Sequence, residues 1–106
     1  MKRFLIIIFS LLSLCSCVDE VQFTNTPEGN MEALWKIIDQ HYCFLEYKSQ
    51  AIGLDWNEVR ATYRQRLHPN MNSYQLQEVL CNMLAELRDG HVNLYTASDV
   101  GRYWSW

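Results

Sequence analysis

The chain has few basic residues, and this shortage excludes one large class of partners. Nine lysines and arginines stand against twelve acidic residues, for a net charge of −3. Two of the nine, Lys2 and Arg3, lie at the extreme N-terminus, so the rest of the chain is more acidic still. Binding to a nucleic-acid backbone requires a basic stripe or patch, and the sequence has none. We therefore expect no nucleic-acid partner.

Metal-binding and hydrolase motifs are also scarce. The four cysteines form no Cys-x-x-Cys pair and have no close histidine cluster, so we expect neither a zinc site nor another cofactor. No Gly-x-Ser-x-Gly turn surrounds Ser98 or Ser105, which argues against a self-contained serine hydrolase. An oxidising compartment would permit a disulfide between Cys43 and Cys81. Both cysteines fall in helical patterns beside apolar residues, however, and this favours buried thiols.

The apolar run near the N-terminus is too short to be a permanent membrane helix. It covers Phe4–Leu14, whereas a membrane-spanning helix needs about 20 apolar residues. A basic start and a short apolar run predict a secretory signal over residues 1–16. Cys17 follows Leu14-Cys15-Ser16, the pattern of a bacterial lipoprotein signal, so we expect Cys17 to be lipidated. The alternatives are an ordinary signal peptide and an uncleaved anchor.

A lipid on Cys17 would attach the protein to a membrane of the cell envelope. Each buried methylene of an acyl chain contributes about 0.8 kcal/mol to membrane binding. We expect an outer-membrane location, facing the periplasm or the cell surface. Residues 17–29 would be a polar tether. Residues 30–106 would form one small domain, because a chain of this length can bury one modest core.

Two helices are predicted before Pro69. The first covers Asn30–Lys48, where Asn30 can cap a segment with a wide apolar face. The second opens at Asp55, in an Asp-x-x-Glu arrangement related to the capping box, and runs to about Arg66. Pro69 ends it, because proline disfavours helical backbone at the preceding residue. The apolar positions are Leu34, Trp35, Ile37, Ile38, Tyr42 and Leu45 in the first helix, and Val59, Tyr63 and Leu67 in the second.

The third predicted helix leads into the most informative part of the sequence. Ser73 would cap it, and its apolar residues recur at i, i+3, i+4, i+7, i+8 and i+11. Gly90 then falls where a left-handed residue commonly follows a helix. His91 would be the first residue of a strand in which Val92 and Leu94 alternate with polar residues. The fold class is therefore mostly α, with three helices followed by one strand. The helical stripe consists of Leu76, Val79, Leu80, Met83, Leu84 and Leu87.

A single strand leaves its backbone hydrogen-bonding groups without partners, so the predicted architecture looks incomplete. The chain ends soon after this strand, in the aromatic residues Tyr103, Trp104 and Trp106. Such a large apolar area at a chain end is unusual for a complete domain. We expect the strand to be the first of an α/β core whose remainder this sequence lacks.

The order of these features resembles the start of a tail-specific (C-terminal processing) serine peptidase. The similarity is strongest to the tricorn-like branch found among secreted bacterial lipoproteins. It is carried by Trp35-Lys36-Ile37-Ile38-Asp39, Tyr42-Cys43-Phe44, Asp55-Trp56 and the segment Leu84–Val92. It implies an N-terminal helical cap domain in front of an α/β catalytic core. It also implies that the full-length protein cleaves peptides or the C-termini of proteins.

The resemblance gives His91 a role. In the tricorn-like branch the matching histidine is the general base for a serine far downstream. The family's nucleophile, oxyanion-hole residues and acidic partner would all lie beyond Trp106, so this chain alone is expected to hydrolyse nothing. The spacing by itself leaves an alternative, in which His91 merely faces the negative end of the preceding helix.

A second hypothesis treats the chain as a complete small lipoprotein. Its C-terminal strand and aromatic tail would bind a protein or peptide, for example by pairing with the edge of a partner's sheet. Both hypotheses attach the protein to a membrane through Cys17, and neither specifies an oligomeric state. They differ in whether the DNA downstream of codon 106 encodes more strands and a serine nucleophile.

Overall fold

The structure is a computed structural model that describes residues 22–95. Four α-helices follow one another within this range: α1 (Pro27–His41), α2 (Leu45–Ile52), α3 (Trp56–Arg64) and α4 (Ser73–Ala85). The predicted signal segment 1–16, Cys17 and the aromatic end at Tyr103, Trp104 and Trp106 lie outside the described residues. Among residues 22–95, no helix has both the length and the apolar character needed to cross a membrane.

Helix α1 begins before its predicted cap, Asn30. The cap is Thr26, whose side-chain oxygen accepts a hydrogen bond from the amide of Gly29 at 3.1 Å. Pro27 takes the first helical position, where the lack of an N–H has no cost and the fixed φ suits a helix. The last part of the predicted tether, 27–29, therefore belongs to the first helix.

The segment predicted as one helix, Asn30–Lys48, is two helices. Tyr42 closes α1 with an extended backbone, at φ −79° and ψ 110°, and its amide donates to the carbonyl of Ile38. Helix α2 then runs from Leu45 to Ile52. Gly53 caps its C-terminus, with a φ of +68° in the left-handed region that suits glycine. No residue of α2 is buried, so this helix covers the edge of the core.

Polar side chains cap α3 and α4. Asp55 accepts hydrogen bonds of 2.9 and 3.1 Å from two amides in the first turn of α3, as its position in the sequence predicts. Asn72, and not the predicted Ser73, caps α4. Asn72 and Gln75 exchange two hydrogen bonds of 2.9 Å, which complete a capping box. The reciprocal bond from Gln75 explains why the cap lies at Asn72.

The core lies where α1, α3 and α4 meet. The predicted stripe of α4 supplies much of it, and Leu87, just beyond the helix, is completely buried. Full burial of such a side chain stabilises the fold by about 1.5–3 kcal/mol. Ile37, predicted on the apolar face of the first helix, is exposed instead. The buried hydrophobic residues are Met31, Ile38, Trp56, Val59, Tyr63, Leu80, Cys81, Met83, Leu84 and Leu87.

Two tryptophans join α1 to α3 by reciprocal hydrogen bonds. The indole N–H of Trp35 donates to the carbonyl of Trp56 at 2.8 Å, and that of Trp56 donates to the carbonyl of Trp35 at 3.1 Å. The Arg60 guanidinium lies 4.5 Å from the Trp35 ring centroid, and its Nε is 2.8 Å from Oε2 of Glu32. This hydrogen bond is the main reason that the pKa of Glu32 is lowered. Together, the side chains of Trp35 and Glu32 from α1 and of Trp56 and Arg60 from α3 hold the two helices against each other.

The two cysteines within the described range do not form the disulfide that an oxidising compartment would permit. Cys81 is buried in α4, as expected of a small hydrophobic side chain. Cys43 is exposed in the turn between α1 and α2, so its predicted burial in a helix is wrong. The break in the first helix accounts for this difference.

The strand predicted from His91 does not form in the described part of the chain. Residue 91 ends a turn, and residues 92–95 have no regular secondary structure. A strand requires a second strand to satisfy its backbone groups, and residues 22–95 contain none. The structure is therefore mostly α, as predicted, while the start of an α/β core has no counterpart among these residues.

Replacing Trp35 by phenylalanine should destabilise the fold by about 1–3 kcal/mol, because the Trp56 carbonyl loses its donor in a partly buried interface. Urea unfolding followed by circular dichroism measures the change. Tyr74→Phe, at an exposed aromatic residue of α4, is the control and should change the free energy of unfolding by less than about 0.5 kcal/mol. Equal stability of Trp35→Phe and the wild type would show that the reciprocal hydrogen bonds do not hold α1 to α3.

Candidate functional site

The burial of Leu87 shapes the turn that follows α4. The amides of Leu87 and Arg88 bond back to the carbonyls of Leu84 and Ala85 at 3.1 and 3.0 Å, which tightens the helix end. Arg88 then reverses the chain with a φ of +48°. The left-handed residue is therefore Arg88, and the prediction that it is Gly90 is wrong. Left-handed backbone costs a non-glycine residue about 1–2 kcal/mol, so tertiary contacts must hold this turn in place.

Two side chains, one at the end of α1 and one within α2, supply those contacts. The ammonium group of Lys48 donates to the carbonyl of Arg88 at 3.0 Å. The hydroxyl of Tyr42 donates to Oδ2 of Asp89 at 2.8 Å, across a separation of 47 residues in sequence. The amide of Val92 bonds back to the carbonyl of Asp89 at 3.2 Å and closes the turn. Two side chains and one backbone hydrogen bond thus hold the turn in place.

Asp89 in turn holds His91. Its Oδ1 accepts the backbone amide of His91 at 3.0 Å and lies 3.0 Å from the Nδ1 of the same residue. The Asp89 side chain is 14% exposed, whereas that of His91 is 92% exposed. One ring nitrogen of His91 therefore faces a nearly buried carboxylate. The other, Nε2, remains accessible to a further group.

Electrostatics fix the protonation states of Asp89 and Tyr42. The pKa of Asp89 is lowered, first by the hydrogen bond from the His91 amide and then by the one from the Tyr42 hydroxyl. The pKa of Tyr42 is raised, first by burial and then by its bond to Asp89. At neutral pH, Asp89 is consequently a charged acceptor and Tyr42 a neutral donor.

This arrangement contains two of the three parts of a nucleophilic triad, a histidine and a carboxylate that orients it. The third part is a nucleophile bonded to the free ring nitrogen. In the part of the chain that the structure describes, both hydrogen bonds of His91 run to Asp89, and no serine completes the triad. Nor do residues 22–95 bring together three His, Cys, Asp or Glu residues that could hold a metal ion.

An apolar groove borders the network. It has a volume of about 440 Å³, and the exposed rings of Phe44 and Tyr47 form much of its wall. Lys48, Arg88 and Asp89 complete the lining. The groove therefore places accessible aromatic surface next to the carboxylate that holds His91.

The sequence predicts a role for His91 but does not predict its hydrogen-bond partners. Asp89 carries a local signal, because an aspartate commonly accepts the amide two residues further on. Tyr42 carries none, since its periodicity is that of an ordinary apolar helix position and its contact depends on tertiary packing. Cys17, the predicted lipidation site, lies outside the described residues.

One protein family matches most of the described segment. The profile of the tricorn protease C1 domain matches residues 23–85, a range that contains all four helices. The matched range ends before Asp89 and His91. The match therefore concerns the helical scaffold that positions the turn.

A solved structure is similar over a larger part of the chain. It is the crystal structure of a candidate peptidase from Parabacteroides merdae ATCC 43184, with 42% sequence identity and a TM-score of 0.68. The similarity covers 76% of this chain and 24% of that protein. This chain thus spans about a quarter of the length of the similar structure. Among curated proteins, the search finds no match.

Asp89→Asn should lower stability at pH 7 by about 1–2 kcal/mol, because hydrogen bonds to a charged acceptor become bonds to a neutral one. The folded pKa of Asp89 is lowered from 3.8. The ionised carboxylate therefore stabilises the fold above pH 3.8, and this contribution is lost as the pH falls through the lower folded pKa. Urea unfolding measures the free energy of unfolding of both proteins at pH 7 and at pH 3. The difference between variant and wild type should be smaller at pH 3.

Asp39→Asn is the matched control, since Asp39 is an exposed aspartate of α1. Its free energy of unfolding should stay within about 0.5 kcal/mol of the wild type at both pH values. A destabilisation by Asp89→Asn that is the same at pH 7 and pH 3 would contradict a stabilising role for the ionised carboxylate.

Proposed function

This chain belongs to the tricorn protease C1 domain family, and we propose that it is the N-terminal helical part of a serine peptidase. The observation that carries the proposal is the pairing of His91 Nδ1 with Asp89 Oδ1 at 3.0 Å, directly after the matched helices. Oriented histidines of this kind serve as general bases. The substrates would be peptides or the C-termini of proteins.

The catalytic serine would lie in a part of the protein that this chain does not include. The chain spans 24% of the length of the similar candidate peptidase, which supports a larger protein with room for a separate core. The oxyanion hole would belong to the same missing part. The helical domain would contribute His91 and its supports, and alone it would hydrolyse nothing.

His91 would act through its accessible nitrogen. Nε2 would take the proton from the serine hydroxyl as the serine oxygen forms a bond to the carbonyl carbon of the substrate. When the resulting tetrahedral intermediate collapses, the carbon–nitrogen bond breaks, and Nε2–H passes the proton to the leaving amine. Water would then release the acyl group by the same proton transfers. Throughout, Nδ1 would stay bonded to Asp89.

The groove beside Asp89 supports a peptide as the substrate. Phe44 and Tyr47 offer aromatic surface to an apolar side chain. Lys48 and Arg88 carry positive charge along the same groove, which suits the carbonyl groups or the terminal carboxylate of a peptide. A substrate bound there would lie against Asp89, the residue that holds His91.

We also propose that Cys17 carries a lipid that anchors the protein in the cell envelope. The short apolar run Phe4–Leu14 and the small residue Ser16 before Cys17 support this assignment. Helix α1 begins at Pro27, so residues 17–26 would form the tether between the lipid and the domain.

The second hypothesis, a complete small lipoprotein that binds partners through a C-terminal strand, has less support. Residues 91–95 form no strand, and the aromatic tail lies outside the described residues. A reading frame that stops at codon 106, together with cooperative, monomeric unfolding of residues 17–106, would nevertheless favour it over the peptidase.

His91→Ala in the full-length protein should lower kcat by about 10²–10⁴-fold, because the serine would lose its general base. Hydrolysis of a fluorogenic peptide library by the purified protein measures the effect. His68→Ala, at an exposed histidine in the loop between α3 and α4, is the control and should leave kcat unchanged. Undiminished hydrolysis by His91→Ala, or hydrolysis by residues 17–106 alone, would show that the assignment is wrong.

Cys17→Ser should abolish incorporation of a clickable palmitate analogue into the protein. The variant protein should also be lost from the membrane fraction. Cells expressing wild type and variant are labelled, fractionated and blotted. Cys15→Ser is the control, because it makes the same cysteine-to-serine change two positions earlier. It should leave labelling intact. Labelling of the Cys17→Ser protein at the wild-type level would disprove lipidation at this residue.

A further inference from the structure

The carboxylate that orients the histidine lies within this chain, two residues before His91. The resemblance to tail-specific peptidases implies an acidic partner beyond Trp106. In the structure, however, Asp89 already occupies the position beside Nδ1, at 3.0 Å. It is also nearly buried, and its second oxygen is held by Tyr42 at 2.8 Å.

We propose that Asp89, fixed by Tyr42, is the positioning residue for His91, holding the imidazole as the Nδ1–H tautomer with Nε2 unprotonated and accessible. This inference rests on the proposed peptidase function. It goes beyond it by assigning the orienting role to a local aspartate and to a tyrosine on a different helix.

The chemistry of Asp89 selects one tautomer. An ionised carboxylate only accepts hydrogen bonds, so a neutral imidazole that bonds to it must place its proton on Nδ1. The lowered pKa of Asp89 keeps the carboxylate ionised at neutral pH. The proton-free nitrogen is then Nε2, which is the atom that a general base uses.

The geometry also limits rotation of the ring. Oδ1 accepts both the backbone amide and the ring nitrogen of His91, each at 3.0 Å, so the side chain is tied to its own turn. Tyr42 and Lys48 bind the same turn to the end of α1 and to α2. An exposed histidine without these bonds would sample several rotamers.

Tyr63 provides a matched control for Tyr42. Its hydroxyl donates to Oε1 of Glu86 at 2.7 Å, and the hydroxyl oxygen also lies 3.0 Å from the carbonyl oxygen of Asn82. As with Tyr42, burial and a carboxylate raise its pKa, in this case to about 12. Tyr63→Phe thus removes an equivalent tyrosine–carboxylate hydrogen bond, but one that does not touch His91 or Asp89.

The first test reads the tautomer directly in this chain. Its three histidines are His41, His68 and His91, and ¹⁵N-histidine labelling with long-range ¹H–¹⁵N correlation spectra at pH 8.5 distinguishes Nδ1–H from Nε2–H. His91 is assigned by the loss of its signals in His91→Gln. We expect Nδ1–H to dominate at His91, and Nε2–H at the exposed His41 and His68. The same tautomer at all three residues would overturn the proposal.

The variants then test which groups are responsible. Asp89→Asn should shift His91 towards Nε2–H, and Tyr42→Phe should shift it partly, with both variants checked for native circular dichroism. Tyr63→Phe should leave the tautomer of His91 unchanged even if it lowers stability. An equal shift in Tyr42→Phe and Tyr63→Phe would indicate a general loosening of the fold and would overturn the role of Tyr42.

The second test uses the full-length protein and peptide hydrolysis. Asp89→Asn should lower kcat by about 10²–10⁴-fold with little change in KM, because a wrongly protonated imidazole cannot accept the serine proton. An active enzyme whose kcat is insensitive to Asp89→Asn would overturn the positioning role while leaving the peptidase function intact. An inactive protein with the Nδ1–H tautomer in place would overturn the peptidase function while leaving the orientation of His91 established.

Discussion

The burial of Leu87 is the constraint on which the turn that carries His91 depends. The apolar stripe of α4 continues to Leu87, but the helix itself stops at Ala85, two residues earlier. The chain must therefore keep this side chain in the core and still turn away from the helix. It does so at Arg88, which adopts a left-handed backbone conformation although it is not a glycine. The turn brings the Asp89 carboxylate to the end of α1, where a hydrogen-bond donor is available.

Tyr42 is that donor, and its position explains several features of the first half of the chain. It ends α1 in an extended conformation, which frees its side chain to reach Asp89 across 47 residues. The same break leaves Cys43 and Phe44 exposed, and α2 begins at Leu45. Lys48, from α2, then reaches the carbonyl of Arg88. One interruption of a helix thus supplies both contacts that support the turn carrying His91.

Different interactions stabilise the helical scaffold and the turn that carries His91. Hydrophobic burial among α1, α3 and α4, together with the reciprocal hydrogen bonds of Trp35 and Trp56, stabilises the scaffold. The site is a short polar relay on the surface, in which a nearly buried carboxylate connects a tyrosine to an exposed histidine. The family match covers the scaffold and stops before the relay. In the proposed function the domain completes an active site formed elsewhere, and a rigid helical base that presents one oriented histidine suits that role.

The sequence by itself determined the mostly helical class, the α4 stripe, the Asp55 cap and the family, because periodicity, capping residues and short motifs involve only a few neighbouring residues. The role of His91 stays a prediction. The break of the first helix at Tyr42, the left-handed Arg88 in place of Gly90, and the absence of a strand over residues 91–95 were decided only by tertiary structure. The first two features depend on contacts between residues that are distant in sequence. The third depends on the lack of a partner strand among the described residues. The link from Tyr42 through Asp89 to His91 belongs to the same group, since only packing of the end of α1 against the turn after α4 brings the hydroxyl within 2.8 Å of the carboxylate.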